Sequence, residues 1–171
     1  MTQTILVVDD DEITCSLLEE VLSKEGYEVE KALNGGEAIA RGADKSYDVV
    51  LTDIKMAGVD GMEVLHSYRQ KSPETIVIMM TAFGSIETAI GAIKEGAYDY
   101  VSKPFNIDEI LALLERATQQ RRLQRHGAER VDGRSDRQAV VPGGDDRDAG
   151  REVSHRRTPV GGGDALDHRQ V

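Results

Sequence analysis

V-V-L-T-D-I-K, residues 49–55, is the stretch that decides how this chain folds. Val49, Val50 and Leu51 make a short apolar run suited to a strand buried on both faces, and Asp53 falls where such a strand runs out into solvent. In an open parallel sheet, ligands gather outside the carboxyl ends of the strands, so Asp53 marks an edge where other polar groups should converge. Three further segments carry polar groups to that edge. Residues 5–8 lead into Asp9, Asp10 and Asp11; residues 76–80 lead into Thr81; residues 99–102 lead into Lys103 and Pro104.

Outward from this stretch, β-rich runs alternate with amphipathic helical ones through about residue 120. That alternation predicts an α/β domain, a doubly wound five-stranded parallel sheet of order 2-1-3-4-5 with flanking helices, bounded at residues 1–125. The strands are read at 5–8, 27–32, 47–53, 75–81 and 99–102. In the first helix Asp11 is the expected N-cap, with Ile13, Leu17 and Val21, beside Leu18 and Leu22, turned inward and Gly26 as the stop. Asn34-Gly35-Gly36 opens a weaker second helix, and the third is read at 62–70. The fourth is expected to bury Ile86, Ala89, Ile90 and Ile93, capped by Ser85 and ended by Gly96. Asn106 with Glu109 resembles a capping box before a stripe of Ile107, Ile110, Leu111, Leu114 and Ala117.

Composition changes near residue 125. Residues 126–171 hold no Lys, Ile, Phe, Tyr or Met and only one Leu, Leu166, but many Arg, Gly and Asp. Such a segment buries too little apolar surface to offset chain entropy, so it is expected to be a disordered tail with at most isolated helical turns. Its eight Arg are matched by seven Asp and two Glu, and the whole chain carries a formal charge of -10, so direct nucleic-acid binding is not expected. The one cysteine, Cys15, excludes an internal disulfide and reads as a small buried hydrophobe. No run approaches the ~18 apolar residues of a membrane span, and the start M-T-Q-T-I-L lacks a signal-peptide pattern, so a cytoplasmic protein is expected.

Asp9, Asp10 and Asp53 should meet at the carboxyl edge, because the strand order places the first and third strands side by side. Two unit charges 4 Å apart repel by roughly 4 kcal/mol at an effective dielectric near 20, so three carboxylates there call for a cation. An oxygen-only donor set suits Mg2+. Lys103 adds a point charge fit for a phosphoryl oxygen, the Thr81 hydroxyl can bond a second, and Asp53 is left as the nucleophile that forms an acyl phosphate. Taken singly, each group has a commoner explanation: a capping run, a turn residue, a solvated lysine, a strand-end threonine. Their co-occurrence at the ends of four strands outweighs it.

The motifs I-L-V-V-D-D-D (5–11), L-T-D-I-K-M (51–56) followed by Asp60-Gly61, M-T-A (80–82) and G-A-Y-D-Y-V-S-K-P-F (96–105) resemble those of bacterial response-regulator receiver domains, over residues 4–120. The resemblance implies a flavodoxin-like receiver fold with Asp53 as phosphoacceptor and Asp10 as direct Mg2+ ligand. It further implies that Asp9 acts mainly through water and that the backbone carbonyl of Lys55 completes the protein ligands. Thr81 and Tyr100 match the family's coupled switch pair, and Lys103-Pro104 matches its Lys-Pro, where a cis peptide is usual. The implied partner is a sensor histidine kinase, with a switched surface of fourth helix, fifth strand and fifth helix available for homodimerisation. The pattern is most similar to receivers of the NtrC type, which precede a sigma-54-activating ATPase and a DNA-binding domain; neither is recognisable after Gln120. Ala57 stands where the family usually has proline, which removes a fixed φ but no ligand.

Two other functions compete. In a haloacid-dehalogenase-like phosphatase, Asp9 would be the nucleophile and Asp11 the acid, but Ile13 stands where Thr or Val is expected and no G-D-x-x-x-D follows. A flavodoxin-like FMN binder would need a Ser/Thr/Gly phosphate loop where this chain has three aspartates.

Overall fold

The computed structural model describes residues 1–82 and 86–132. Five strands alternate with five helices: β1 (Thr4–Val8), α1 (Glu12–Lys24), β2 (Glu28–Ala32), α2 (Gly35–Asp44), β3 (Val49–Asp53), α3 (Gly61–Lys71), β4 (Ile76–Thr81), α4 (Ile86–Lys94), β5 (Asp99–Ser102) and α5 (Ile107–Asp132). All strand pairs are parallel, in the order β2-β1-β3-β4-β5 expected from the sequence. Val7 stands opposite Leu51, and Asp53 opposite Met80, so β1, β3 and β4 end at one edge. The central strands are buried on both faces, and the core divides accordingly. Leu6, Val8, Val50, Val77 and Met79 pack beneath α2, α3 and α4; Ile5, Val7, Leu51, Ile78 and Met80 pack beneath α1 and α5.

Helix ends follow the chemistry of their caps. Asp11 accepts from the Ile13 N–H and Asn34 from Glu37. Gly26 and Gly96, at φ +90° and +107°, end α1 and α4 in the left-handed region that glycine enters without strain. The reciprocal capping box lies on α3, between Asp60 and Glu63. Asn106 caps α5 by accepting from Asp108.

Two apolar stripes are turned differently from the sequence reading. On α1 the buried set is Cys15, Leu18 and Leu22, whereas Ile13 is 79% exposed and Leu17 is also exposed. A helix lying on a sheet buries one stripe, and the stripe of Leu18 and Leu22 wins. On α4, Ala89 and Ala92 are buried while Ile86, Ile90 and Ile93 face outward. The small alanines let this helix lie close to the sheet, leaving the isoleucines on its outer side. The Ser85 cap lies outside the described residues. α5 does not stop at 125 but continues to Asp132, so the change in composition is not a break in the helix. Among the described residues, no helix is long and apolar enough to cross a membrane.

Candidate phosphoacceptor site

The ends of β1, β3 and β5 bring Asp9, Asp53 and Lys103 into direct contact. Asp9, fully buried just past β1, accepts from the Asp11 N–H at 2.9 Å through Oδ1 and from Lys103 Nζ at 2.5 Å through Oδ2. The same ammonium donates to Asp53 Oδ2 at 3.2 Å. Asp10 is exposed, and one carboxylate oxygen from each of Asp9, Asp10 and Asp53 lies within 4.8 Å of the others. Lys103 is held from behind: its backbone N–H donates to the Thr81 carbonyl at 2.6 Å, and the Lys103–Pro104 peptide is cis.

Asp53 is positioned as tightly from its other side. The next residue donates from its backbone to the Met80 carbonyl, and the Gly61 N–H donates to the Ile54 carbonyl at 2.9 Å. A Cβ at residue 61 would stand 2.1 Å from the Asp53 carbonyl oxygen, so only glycine allows α3 to start this close to the end of β3. That is the packing reason for Gly61 after the Asp60 cap.

Burial pushes the Asp53 carboxyl above its ordinary range and the charge of Asp9 adds to this, while Lys103 pulls the other way without cancelling it. For Lys103, burial disfavours the charge, but bonds to Asp9 and Asp53 prevail and hold its pKa above the ordinary value. One lysine is thus shared by two buried carboxylates, with a third nearby. The remaining donors are all hard oxygens, partly accessible through Asp10, and fit a small divalent cation better than a soft one.

Thr81 and Tyr100 lie on neighbouring strands. The register sets Met79 beside Tyr100 and Thr81 beside Ser102, so Thr81 and Tyr100 share a face of the sheet as diagonal neighbours. The Thr81 hydroxyl is buried and donates to the Ala82 carbonyl at 3.2 Å; Tyr100 is half-buried against the core on the α4 side. Lys55 is exposed in the loop after β3, two residues past Asp53. Sequence reasoning did not single out a second buried ionic cluster, Asp48 with Arg121, at the opposite edge of the sheet.

The sequence matches the response regulator receiver domain family over residues 5–115. The chain belongs to that family. This receiver is 42% identical over 113 residues to the transcriptional regulatory protein ZraR of Salmonella typhimurium, covering 66% of this chain and 26% of that protein. It is 43% identical over 113 residues to the DNA-binding transcriptional regulator NtrC of the same organism, covering 66% of this chain and 24% of the regulator. The crystal structure of the NtrX receiver domain from Brucella abortus superposes with a TM-score of 0.65 at 38% identity, over 67% of this chain and 98% of that one. The receiver therefore spans about a quarter of the length of these curated relatives. Membership in this family leaves the dehalogenase-like phosphatase reading without support. Asp9 has no exposed surface, and both of its carboxylate oxygens are engaged by Asp11 and Lys103, a poor setting for a nucleophile.

Proposed function

We propose that this receiver, working in the cytoplasm, takes a phosphoryl group from a sensor histidine kinase onto Asp53 and thereby changes its surface. The observation that carries this is the sharing of the Lys103 ammonium between Asp9 and Asp53, which leaves the Asp53 carboxylate under-neutralised at the open edge of the sheet. An Asp53 oxygen attacks phosphorus, the phosphorus–nitrogen bond of the phosphohistidine breaks, and an acyl phosphate forms; water later attacks phosphorus and releases inorganic phosphate. Lys103 moves onto a phosphoryl oxygen as the charge on Asp53 is replaced, and the Thr81 hydroxyl bonds a second. Mg2+, when bound, would neutralise the developing phosphoryl charge. Asp10, Asp53 and the Lys55 carbonyl would hold it directly, and Asp9 mainly through water; the engagement of both Asp9 oxygens by protein donors supports that division. The protein thus supplies half of its own phosphorylation and dephosphorylation chemistry rather than acting on a separate substrate.

Movement of the Thr81 hydroxyl toward the phosphoryl group opens space beside it for the Tyr100 ring, linking Asp53 to the surface of α4, β5 and α5. The outward Ile86, Ile90 and Ile93 of α4 support that surface as the place of self-association. Output through protein contact, rather than DNA, fits the balanced charge of residues 126–171. We further propose that 126–171 is an appendage to a receiver domain of residues 1–125, so removing residues 126–171 leaves folding, Mg2+ binding and phosphorylation of Asp53 unchanged.

The test is labelling with acetyl phosphate, with and without Mg2+, followed by hydroxylamine cleavage and mapping of the modified residue. Label on residue 53, absent without metal and in Asp53→Asn, is expected; undiminished label in that variant, or label on Asp9, would overturn the mechanism. Thr81→Ala should still take label but give a reduced shift of the α4 and β5 NMR resonances.

A further inference from the structure

At the opposite edge of the sheet stands a carboxylate that the phosphoacceptor chemistry does not use. Asp48, buried just before β3, accepts through Oδ2 from the Thr4 N–H at 3.0 Å and the Thr4 hydroxyl at 3.3 Å. Through Oδ1 it accepts from Arg121 Nε at 3.1 Å, and Arg125 Nη2 lies 3.1 Å from the same oxygen. Arg121 is only 3% exposed and donates a second bond to the Glu74 carbonyl, ahead of β4. A single carboxylate therefore ties the starts of β1 and β3 to two successive turns of α5, because Arg121 and Arg125 are one helical turn apart on one face.

Apolar packing does not hold this part of the helix. Among the side chains described through residue 127, Ala117 is the last apolar one that α5 places in the core; within residues 119–127 Arg121 alone is buried, and Leu123 is 73% exposed. Charged hydrogen bonds with fixed geometry define a direction better than sliding apolar contacts do, and a planar guanidinium makes them well.

We propose that Asp48 is a polar dock for the C-terminal half of α5, setting the direction in which the chain leaves the receiver. The dock acts at the edge remote from Asp53. Its loss frees the last turns of the helix from the sheet without disturbing the phosphoacceptor.

Hydrogen exchange on the full chain tests this in Asp48→Asn and in Arg121→Met/Arg125→Gln. In both, amides of residues 119–127 should exchange roughly tenfold faster or more, while the slowest amides of β1, β3 and β4 stay protected. Labelling of Asp53 by acetyl phosphate should proceed as in the parent. Unchanged exchange at 119–127 would overturn the proposal. Should Asp48→Asn fail to fold, the double arginine variant decides, since it leaves Asp48 its bonds to Thr4. Local loosening there supports the dock, and collapse of the whole sheet's protection overturns it by making the pair part of the core.

Discussion

Asp48 and Asp53 bracket the same strand, both buried, and their surroundings push them in opposite directions. At Asp48, burial works against the charge, but the Thr4 N–H and the guanidiniums of Arg121 and Arg125 outweigh it and hold the carboxyl below its ordinary range. At Asp53, burial prevails, because the one ammonium within reach is shared with Asp9. The difference is one of supply. Four donors converge on the first carboxylate, whereas the second keeps unused acceptor capacity facing the open edge. A satisfied carboxylate is structural; an under-neutralised one is reactive toward cations and phosphoryl groups.

The contrast can be broken first with metal. Mg2+ at about 100 times its Kd should raise unfolding stability by about 2.7 kcal/mol, measured by denaturant titration. Asp10→Ala should lose most of that gain and Asp48→Asn none of it; a metal effect that depends on Asp48 would erase the distinction between the edges. Asp48→Asn without metal should cost about 2 kcal/mol, the scale of charged hydrogen bonds lost where the helix end can lift away. Asp53→Asn should do the reverse. A carboxyl whose folded pKa is raised destabilises the fold once ionised, a cost absent at low pH that grows as pH rises past the unfolded value of 3.8. The neutral amide should therefore stabilise the metal-free protein at pH 7, seen as a small rise in Tm; a fall in Tm would contradict the proposed imbalance.

The smallest effect is in acid. Because the folded pKa of Asp48 is depressed, its contribution is complete above 3.8 and is lost as pH falls from there through the lower folded value. Exchange at residues 119–127 should accelerate over that window in the parent and show no such step in Asp48→Asn. A step that survives the substitution would assign the acid sensitivity to another carboxylate.

Reading the chain alone reached the carboxyl edge but not the dock, and the reason lies in what each pattern reports. Val49, Val50 and Leu51 followed by Asp53 report a buried strand and its exit, and the same local grammar places Asp9, Thr81 and Lys103 at exits of their own. Parallel strands in a doubly wound sheet finish on one side, so four local patterns suffice to assemble the edge. Arg121 carried a weaker clue: it continues the buried stripe of Leu114 and Ala117 by one turn, where a long cation calls for a buried partner. Its partner, 73 residues earlier, leaves no local mark.

What sequence determined by itself, then, is the alternation of elements, the caps that end them and the polar groups at the strand exits, because each depends on neighbours along the chain. Only the tertiary structure decided which face of α1 and α4 turns inward, since Leu18 competes with Leu17, and Ala89 with Ile90, for the same contact with the sheet. It also decided that one ammonium is divided between Asp9 and Asp53 while two guanidiniums converge on Asp48. Charge balance around a buried group is summed over distances in space, and residues far apart in the chain set it.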